Sequence, residues 1–216
     1  MTSIASPGLR ERKAAKLKLL LVELLEEELK SSAFQDINVE TLCEKAMISK
    51  VTFYNYFPEK DDIIRYFLSL WVYRIIIDCH NLNKSGFAVI QYFFEDMIKN
   101  MNRNPNLYGN MISILTRKPK FDYVEELTLA ERAALYPDKK LHTLEVKLSM
   151  GQFIQTHCKT AISKGEITDA YSPEDLSLMI GSLLHGSCIL GYRINVAKPG
   201  EACLNAYRIL NSILER

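Results

Sequence analysis

The stretch SKVTFYNYF, from Ser49 to Phe57, is the densest aromatic segment of this 216-residue chain. Ser49 is suited to cap the start of a helix, and Pro58 requires that helix to end soon after Phe57. At about 100° per residue, Phe53 and Phe57 lie on the same face of the helix. We therefore expect this face to pack inward and to hold the helix against its neighbours.

The remaining side chains of the stretch form an outward face with mixed chemistry. Val51 and Asn55 point away from the phenylalanines, Thr52, Tyr54 and Tyr56 lie on the flanks, and Lys50 lies in the first turn. Amide and hydroxyl groups suit the edges of bases, a β-branched surface suits thymine methyls, and phenols and a lysine suit phosphates. This composition favours contact with a DNA groove.

Two helices are predicted before this segment. The first extends from about Leu9 to Lys30, where leucines repeat at helical spacing and neither glycine nor proline occurs. Its first half is basic and its second half acidic. Asn38 is placed to cap a second helix of about two turns, whose apolar residues are Val39, Leu42, Cys43 and Ala46. The order is helix, tight turn, helix.

Composition indicates an ordinary globular protein, with 48% hydrophobic residues, 25% charged residues and a net charge of +1. Arg65 and Arg74 interrupt the most apolar region, and the N-terminus lacks the apolar core of a signal peptide. Both observations favour the cytoplasm. Five scattered cysteines without C-x-x-C spacing indicate reduced thiols, not a disulfide framework or a zinc finger.

The rest of the chain is also predicted to be helical, with glycine- and proline-containing breaks between segments. The expected segments are residues 60–81, 86–103, 105–118, 121–135, 140–164, 173–194 and 200–215. The first of these is apolar on nearly every side, which is typical of a buried connecting helix. With no convincing strand or repeat, the sequence predicts an all-α protein of about nine to ten helices.

The segment from Phe34 to Lys60 resembles the helix-turn-helix of the tetracycline-repressor-like (TetR/AcrR) transcriptional regulators. The matching residues are Phe34, Val39, Leu42, Cys43, Ala46, Ser49, Thr52, Phe53, Tyr54, Tyr56, Phe57 and Lys60. Two positions depart from the family pattern. Val51 stands where a small residue is common. Met47 stands where the turn usually has glycine, so the backbone there must avoid the left-handed conformation or be strained.

The resemblance implies an N-terminal three-helix DNA-binding domain over residues 1–58 and a larger helical effector-binding and dimerisation domain over residues 59–216. It implies a homodimeric regulator, most often a repressor, that binds a palindromic operator in double-stranded DNA and responds to a small apolar or aromatic effector. The DNA-binding residues it implies, together with the capping serine, are Thr41, Ser49, Lys50, Val51, Thr52, Tyr54, Asn55, Tyr56 and Lys60.

Two further residue sets belong to the larger domain. Aromatic and methionine side chains between the connector and the last helices are candidates for an effector pocket, although such residues commonly form simple core. They are Trp71, Tyr92, Phe93, Met97, Met101, Tyr108, Met111, Phe121 and Phe153.

The last two helices each carry more than one apolar stripe, which predicts a dimer contact. Its predicted residues are Leu176, Ile180, Leu183, Leu184, Cys188, Tyr207, Leu210 and Leu214.

Other classes of function remain open from the sequence. A small metalloprotein could use the pairs His185 with Cys188 or His142 with Glu145, but neither has a second pair at matching spacing. No phosphate loop, nucleophile elbow or His-Glu-x-x-His motif occurs, so we predict no enzyme activity, no metal and no cofactor. A helical interaction protein that does not bind DNA is the other alternative.

Overall fold

The description of the computed structural model covers residues 6–110, 126–138, 149–194 and 198–215. Its helices are α1 (Leu9–Glu28), α2 (Val39–Lys45), α3 (Lys50–Tyr56), α4 (Asp62–Asn81), α5 (Phe87–Arg103), α6 (Leu129–Leu135), α7 (Met150–Ser163), α8 (Pro173–Ile194) and α9 (Gly200–Leu214). A 3-10 turn at Phe34–Asp36 precedes α2, and residues 105–110 are also helical. These parts of the chain contain no strand, so the predicted all-α class is confirmed.

One predicted helix begins later than expected. The sequence predicts a single helix over residues 121–135, but residues 126–128 are not helical and α6 starts at Leu129. The Thr128 side chain accepts a hydrogen bond from the backbone N–H of Glu131, whose carboxylate accepts one from the Thr128 N–H. This reciprocal capping box fixes the start of α6. Residues 111–125 and 139–148, which include parts of three predicted segments, lie outside the described residues.

The chain divides into two compact units. The first contains described residues 6–73 and 126–138, and the second contains the described residues from 74 to 110 and from 149 onward. Helix α6 thus belongs with the N-terminal helices, although it lies far from them in sequence. The first unit is therefore larger than the N-terminal domain of 58 residues that the sequence predicts.

The core of the first unit joins the first three helices. Leu21 and Leu25 of α1, Leu42 of α2 and Phe53 of α3 are each fully buried. Phe57 is also buried, and its ring centroid lies 5.5 Å from that of Phe53. Full burial of each such side chain contributes roughly 1.5–3 kcal/mol. The two phenylalanines hold the inner face of α3, as the sequence predicts.

A partly buried ion pair connects α6 to α1 within the first unit. The Lys18 ammonium lies 2.5 Å from a carboxylate oxygen of Glu131 and 3.8 Å from the centre of the Tyr66 ring. Burial raises the pKa of Glu131. The hydrogen bond and charge of Lys18, together with the hydrogen bonds of Thr128, outweigh this effect, so the pKa is lowered overall. Glu131 is therefore held in its charged form.

In the second unit, helices α5, α7, α8 and α9 pack against one another. The Glu166 carboxylate accepts a hydrogen bond from the N–H of Phe87 at the start of α5, with an N···O distance of 2.8 Å. Gly86 precedes this contact with φ of 62°, and a Cβ there would lie 2.2 Å from the same carboxylate oxygen. The backbone conformation requires glycine at this position, and a Cβ would also displace the Glu166 carboxylate from its hydrogen bond.

All five cysteines lie in the described part of the chain, and each is buried and unbonded to another sulfur. Among the described helices, none has the length and apolar character needed to cross a bilayer. The same residues include no cluster of three or more His, Cys, Asp or Glu side chains arranged to hold a metal ion.

Candidate nucleic-acid interface

Helix α3 begins with a side-chain cap. The Ser49 hydroxyl oxygen accepts a hydrogen bond from the backbone N–H of Thr52 at 3.1 Å, and the two hydroxyl oxygens are 2.9 Å apart. The cap satisfies one of the backbone donors that every helix start leaves without an intrahelical partner. The local sequence thus fixes where α3 starts, and buried Phe53 and Phe57 fix its rotation.

This rotation leaves the opposite face of α3 accessible. Val51 is 70% exposed and Tyr54 is 44% exposed, although the Tyr54 ring edge also contacts Phe53, with centroids 5.4 Å apart. Ser49, Lys50 and Asn55 are likewise exposed, whereas Thr41, Thr52 and Tyr56 are half-buried. The surface therefore presents an amide, hydroxyls, a phenol and an ammonium group side by side.

Lys60 is placed differently from the other predicted DNA-binding residues. Its ammonium donates hydrogen bonds to the backbone carbonyls of Phe34 at 2.5 Å and Gln35 at 3.3 Å, and it lies 4.6 Å from the centre of the Phe34 ring. Burial lowers its pKa. The ammonium ties the turn before α2 to the residues after α3. A phosphate contact by Lys60 would require breaking these bonds.

Lys50 has an ionic partner that the sequence pattern does not predict. Its ammonium pairs with the carboxylate of Glu40, which lies in the first turn of α2. The Glu40 carboxylate also accepts a hydrogen bond from the Asn38 amide, with an N···O distance of 2.9 Å. The hydrogen bond from Lys50 is the main cause that lowers the pKa of Glu40. The signal in the sequence was the opposite charge of two residues placed at the starts of adjacent helices.

The turn between α2 and α3 adopts the left-handed conformation at Met47, with φ of 54°. The Met47 N–H donates to the carbonyl of Glu44, and the Ile48 N–H donates to the carbonyl of Cys43. This Schellman pattern usually carries glycine at its left-handed position. Of the two possibilities that the sequence left open at this turn, the structure shows the strained one.

Comparison with solved structures identifies the architecture. A TetR regulator from Haloarcula marismortui superimposes with a TM-score of 0.60 at 13% identity, over 93% of this chain and 99% of that one. The TetR protein from Rhodobacter sphaeroides gives 0.59 at 17% identity, over 91% and 97%. FadR of Thermus thermophilus, a TetR-family repressor solved with lauroyl-CoA, gives 0.58 at 17% identity, over 89% and 92%. The chain has the TetR-like fold. No protein-family model and no curated protein sequence matches it.

Within this TetR-like fold, the predicted effector-pocket residues are mostly interior. Phe93, Met97, Met101, Tyr108 and Phe153 are buried in the second unit, whereas Trp71 is buried in the first unit. Met111 and Phe121 lie outside the described residues.

Tyr92 is the half-buried member of the set, and its hydroxyl donates a hydrogen bond to Asp78 at 3.1 Å. Burial, with the nearby Asp78 charge, raises the pKa of Tyr92 to about 12. It remains a neutral donor at any physiological pH.

Most of the predicted dimer residues are buried within the chain itself. Six of the eight face the interior of their own unit and are fully buried, namely Leu176, Ile180, Leu184, Cys188, Leu210 and Leu214. Leu183 and Tyr207 are half-buried, and Tyr207 packs on Phe94 with ring centroids 5.3 Å apart. Side chains used within the chain cannot supply the centre of a contact with a second chain. Other apolar residues of α8 and α9 are exposed instead: Leu178, Ile189, Leu190, Ile209 and Ile213.

Proposed function

We propose that this chain is a sequence-specific DNA-binding transcriptional regulator that represses transcription in the cytoplasm. The exposed outer face of α3 supports this proposal most directly, because buried Phe53 and Phe57 aim Val51, Tyr54 and Asn55 outward. A helix presenting amide, phenol and ammonium groups can read base edges and bind phosphates in a major groove. The proposal assigns residues 1–58 to DNA binding and gives the chain no catalytic role.

A homodimer that binds a palindromic operator is the second part of the proposal. Two of the exposed apolar residues of α8 and α9, Leu190 and Ile209, line a surface groove of about 520 Å³, whose lining also includes Gly186 and Ala202. Exposed apolar surface of this kind commonly marks a contact with another chain, and small residues permit close helix approach. Two copies related by a twofold axis would present two α3 helices to the two halves of a palindrome.

The third part is release by a small apolar or aromatic effector bound within residues 59–216. The interior of the second unit supplies aromatic and thioether side chains suited to such a ligand. Because the Thermus thermophilus relative was solved with lauroyl-CoA, this acyl thioester is the first probe to test. The effector must bind more tightly to the form with low DNA affinity, since otherwise it cannot shift the equilibrium.

Fluorescence anisotropy with the DNA upstream of the chain's own gene tests the central claim. We expect a dissociation constant of about 10 nM at physiological salt. The affinity should fall steeply as the salt concentration rises, because phosphate contacts release counterions. Equal affinity for the upstream DNA and for an unrelated duplex of the same length would contradict sequence-specific regulation. Addition of lauroyl-CoA at fixed salt then tests the effector proposal separately.

Two variants of α3 should separate base reading from backbone contact. Asn55→Ala should weaken operator binding by about 1–3 kcal/mol and relax the preference at particular base pairs. Tyr54→Ala should weaken binding to all sequences by a similar factor, since its phenol is assigned to phosphate. Both side chains are exposed, so circular dichroism should show unchanged folding. A uniform loss for Asn55→Ala across operator variants would remove its reading role.

A further inference from the structure

The ion pair between Lys50 and Glu40 lies at the surface assigned to DNA. Lys50 is the first residue of α3, beside exposed Val51, and its ammonium binds the Glu40 carboxylate of α2. Both side chains are about half exposed, so the pair is accessible to solvent. The Asn38 amide donates a hydrogen bond to the other oxygen of the same carboxylate. Lys50 is therefore engaged within the protein before any nucleic acid arrives.

The position of Lys50 is unfavourable on local grounds. The start of a helix carries partial positive charge, which favours acidic residues there and disfavours a lysine. Glu40 obeys this preference at the start of α2, whereas Lys50 violates it at the start of α3. Residues that break a local preference are concentrated at functional sites. Glu40 offsets the unfavourable charge in the free protein, as a DNA phosphate could do in a complex.

We infer that Glu40 is an internal competitor that occupies Lys50 in the free protein and must release it when a phosphate binds. This inference rests on the proposed DNA-binding function. Because phosphate contacts carry no base information, the competition lowers affinity for all DNA equally. Glu40 thus weakens binding to the operator by the same factor as binding to non-operator sequences, where phosphate contacts supply essentially all of the binding.

The variant Glu40→Gln tests the competition directly. Glutamine keeps the side-chain length and can still accept the bond from Asn38, but it cannot hold Lys50 by charge. We expect affinity for the upstream DNA and for an unrelated duplex to rise by the same factor, about two- to fivefold, which is the range of a surface ion pair. The ratio of the variant's affinity to that of the unmodified protein should approach one at high salt, because screening weakens the ion pair in the unmodified protein.

Two controls separate this effect from a change in net charge. Glu28→Gln removes the same charge by breaking the ion pair of Glu28 with Lys45, the last residue of α2, and should change affinity much less. In a Lys50→Met background, Glu40→Gln should have no further effect, because the lysine for which it competes is absent. Thermal unfolding of each variant checks that the fold is kept.

The outcomes distinguish this inference from the proposed function. If the unmodified protein binds no DNA, the proposed function fails. If it binds DNA and Glu40→Gln leaves affinity unchanged, or still acts in the Lys50→Met background, only the competition is excluded. A change confined to the upstream DNA would show that Glu40 reads bases instead, and would also overturn the inference.

Discussion

At the scale of single residues, three helices of this chain end in the same way with different amino acids. Met47 after α2, Asn83 after α4 and Gly165 after α7 all have positive φ, at 54°, 49° and 70°. In each case the next residue's N–H donates back to a carbonyl five residues earlier. Gly165 lies in the break predicted between the segments 140–164 and 173–194. Met47 could be noted only as a departure from the family pattern, since side-chain type alone does not fix φ.

Met47→Gly should stabilise the protein. A left-handed conformation costs a residue with a Cβ about 1–2 kcal/mol, and glycine removes this cost. Part of the resulting gain in stability is lost because glycine has greater freedom in the unfolded chain. The expected net increase in the free energy of unfolding is about 0.5–1 kcal/mol, measured by urea unfolding at 25 °C. The Met47 side chain is 92% exposed, so its removal loses little packing. Met47→Ala is the control, because it removes the same side chain and keeps the strain. Equal stability of the two variants would contradict the backbone explanation.

At the scale of elements, local signals predicted where most helices occur but not which ones touch. The starts of α2 and α3 follow from the caps at Asn38 and Ser49, both visible in the sequence. The pairing of α6 with α1 depends on Lys18 and Glu131, which are 113 residues apart. No periodicity or capping pattern reports a contact over that distance. The extent of the first unit was therefore beyond local reasoning.

Glu131→Gln should test how much this contact stabilises the fold. Glutamine preserves the capping box with Thr128 and removes only the charge that binds Lys18. At pH 7 we expect a loss of about 1–3 kcal/mol in the free energy of unfolding, because the Lys18 ammonium would lose its ionic partner in a partly buried position. A double-mutant cycle with Lys18→Met measures the coupling.

The same pair predicts a pH dependence. The pKa of Glu131 is lower in the folded protein than its ordinary value of about 4.3, so the folded state favours the charged form. Its contribution is complete above that ordinary value and is lost as pH falls through the folded pKa. The difference between the unmodified protein and Glu131→Gln should therefore narrow on acidification from pH 7 to below 4. A constant difference over this range would show that the charge is not responsible.

At the scale of the whole molecule, the sequence showed that α8 and α9 carry excess apolar surface but not which stripe is excess. On α9 the stripe with Leu210 and Leu214 is buried within the chain, and the stripe with Ile209 and Ile213 is exposed. Both stripes have the spacing of an amphipathic helix. Only the position of the packing partners decides between them, and α5 lies against one side of α9.

The exposed stripe makes the proposed dimer testable with matched substitutions. Leu190 and Ile209 are 52% and 58% exposed and both line the groove between α8 and α9. The double substitution Leu190→Glu and Ile209→Glu should yield a folded monomer, since it places charge at the centre of an apolar contact. Sedimentation equilibrium measures the mass, and operator affinity should fall at least tenfold because each α3 would bind its half-site alone.

Leu82→Glu is the control, as Leu82 is 57% exposed after the end of α4. If the unmodified protein is a dimer and the double variant keeps its mass, this face is not the dimer contact. A monomeric unmodified protein would exclude the palindrome argument as well.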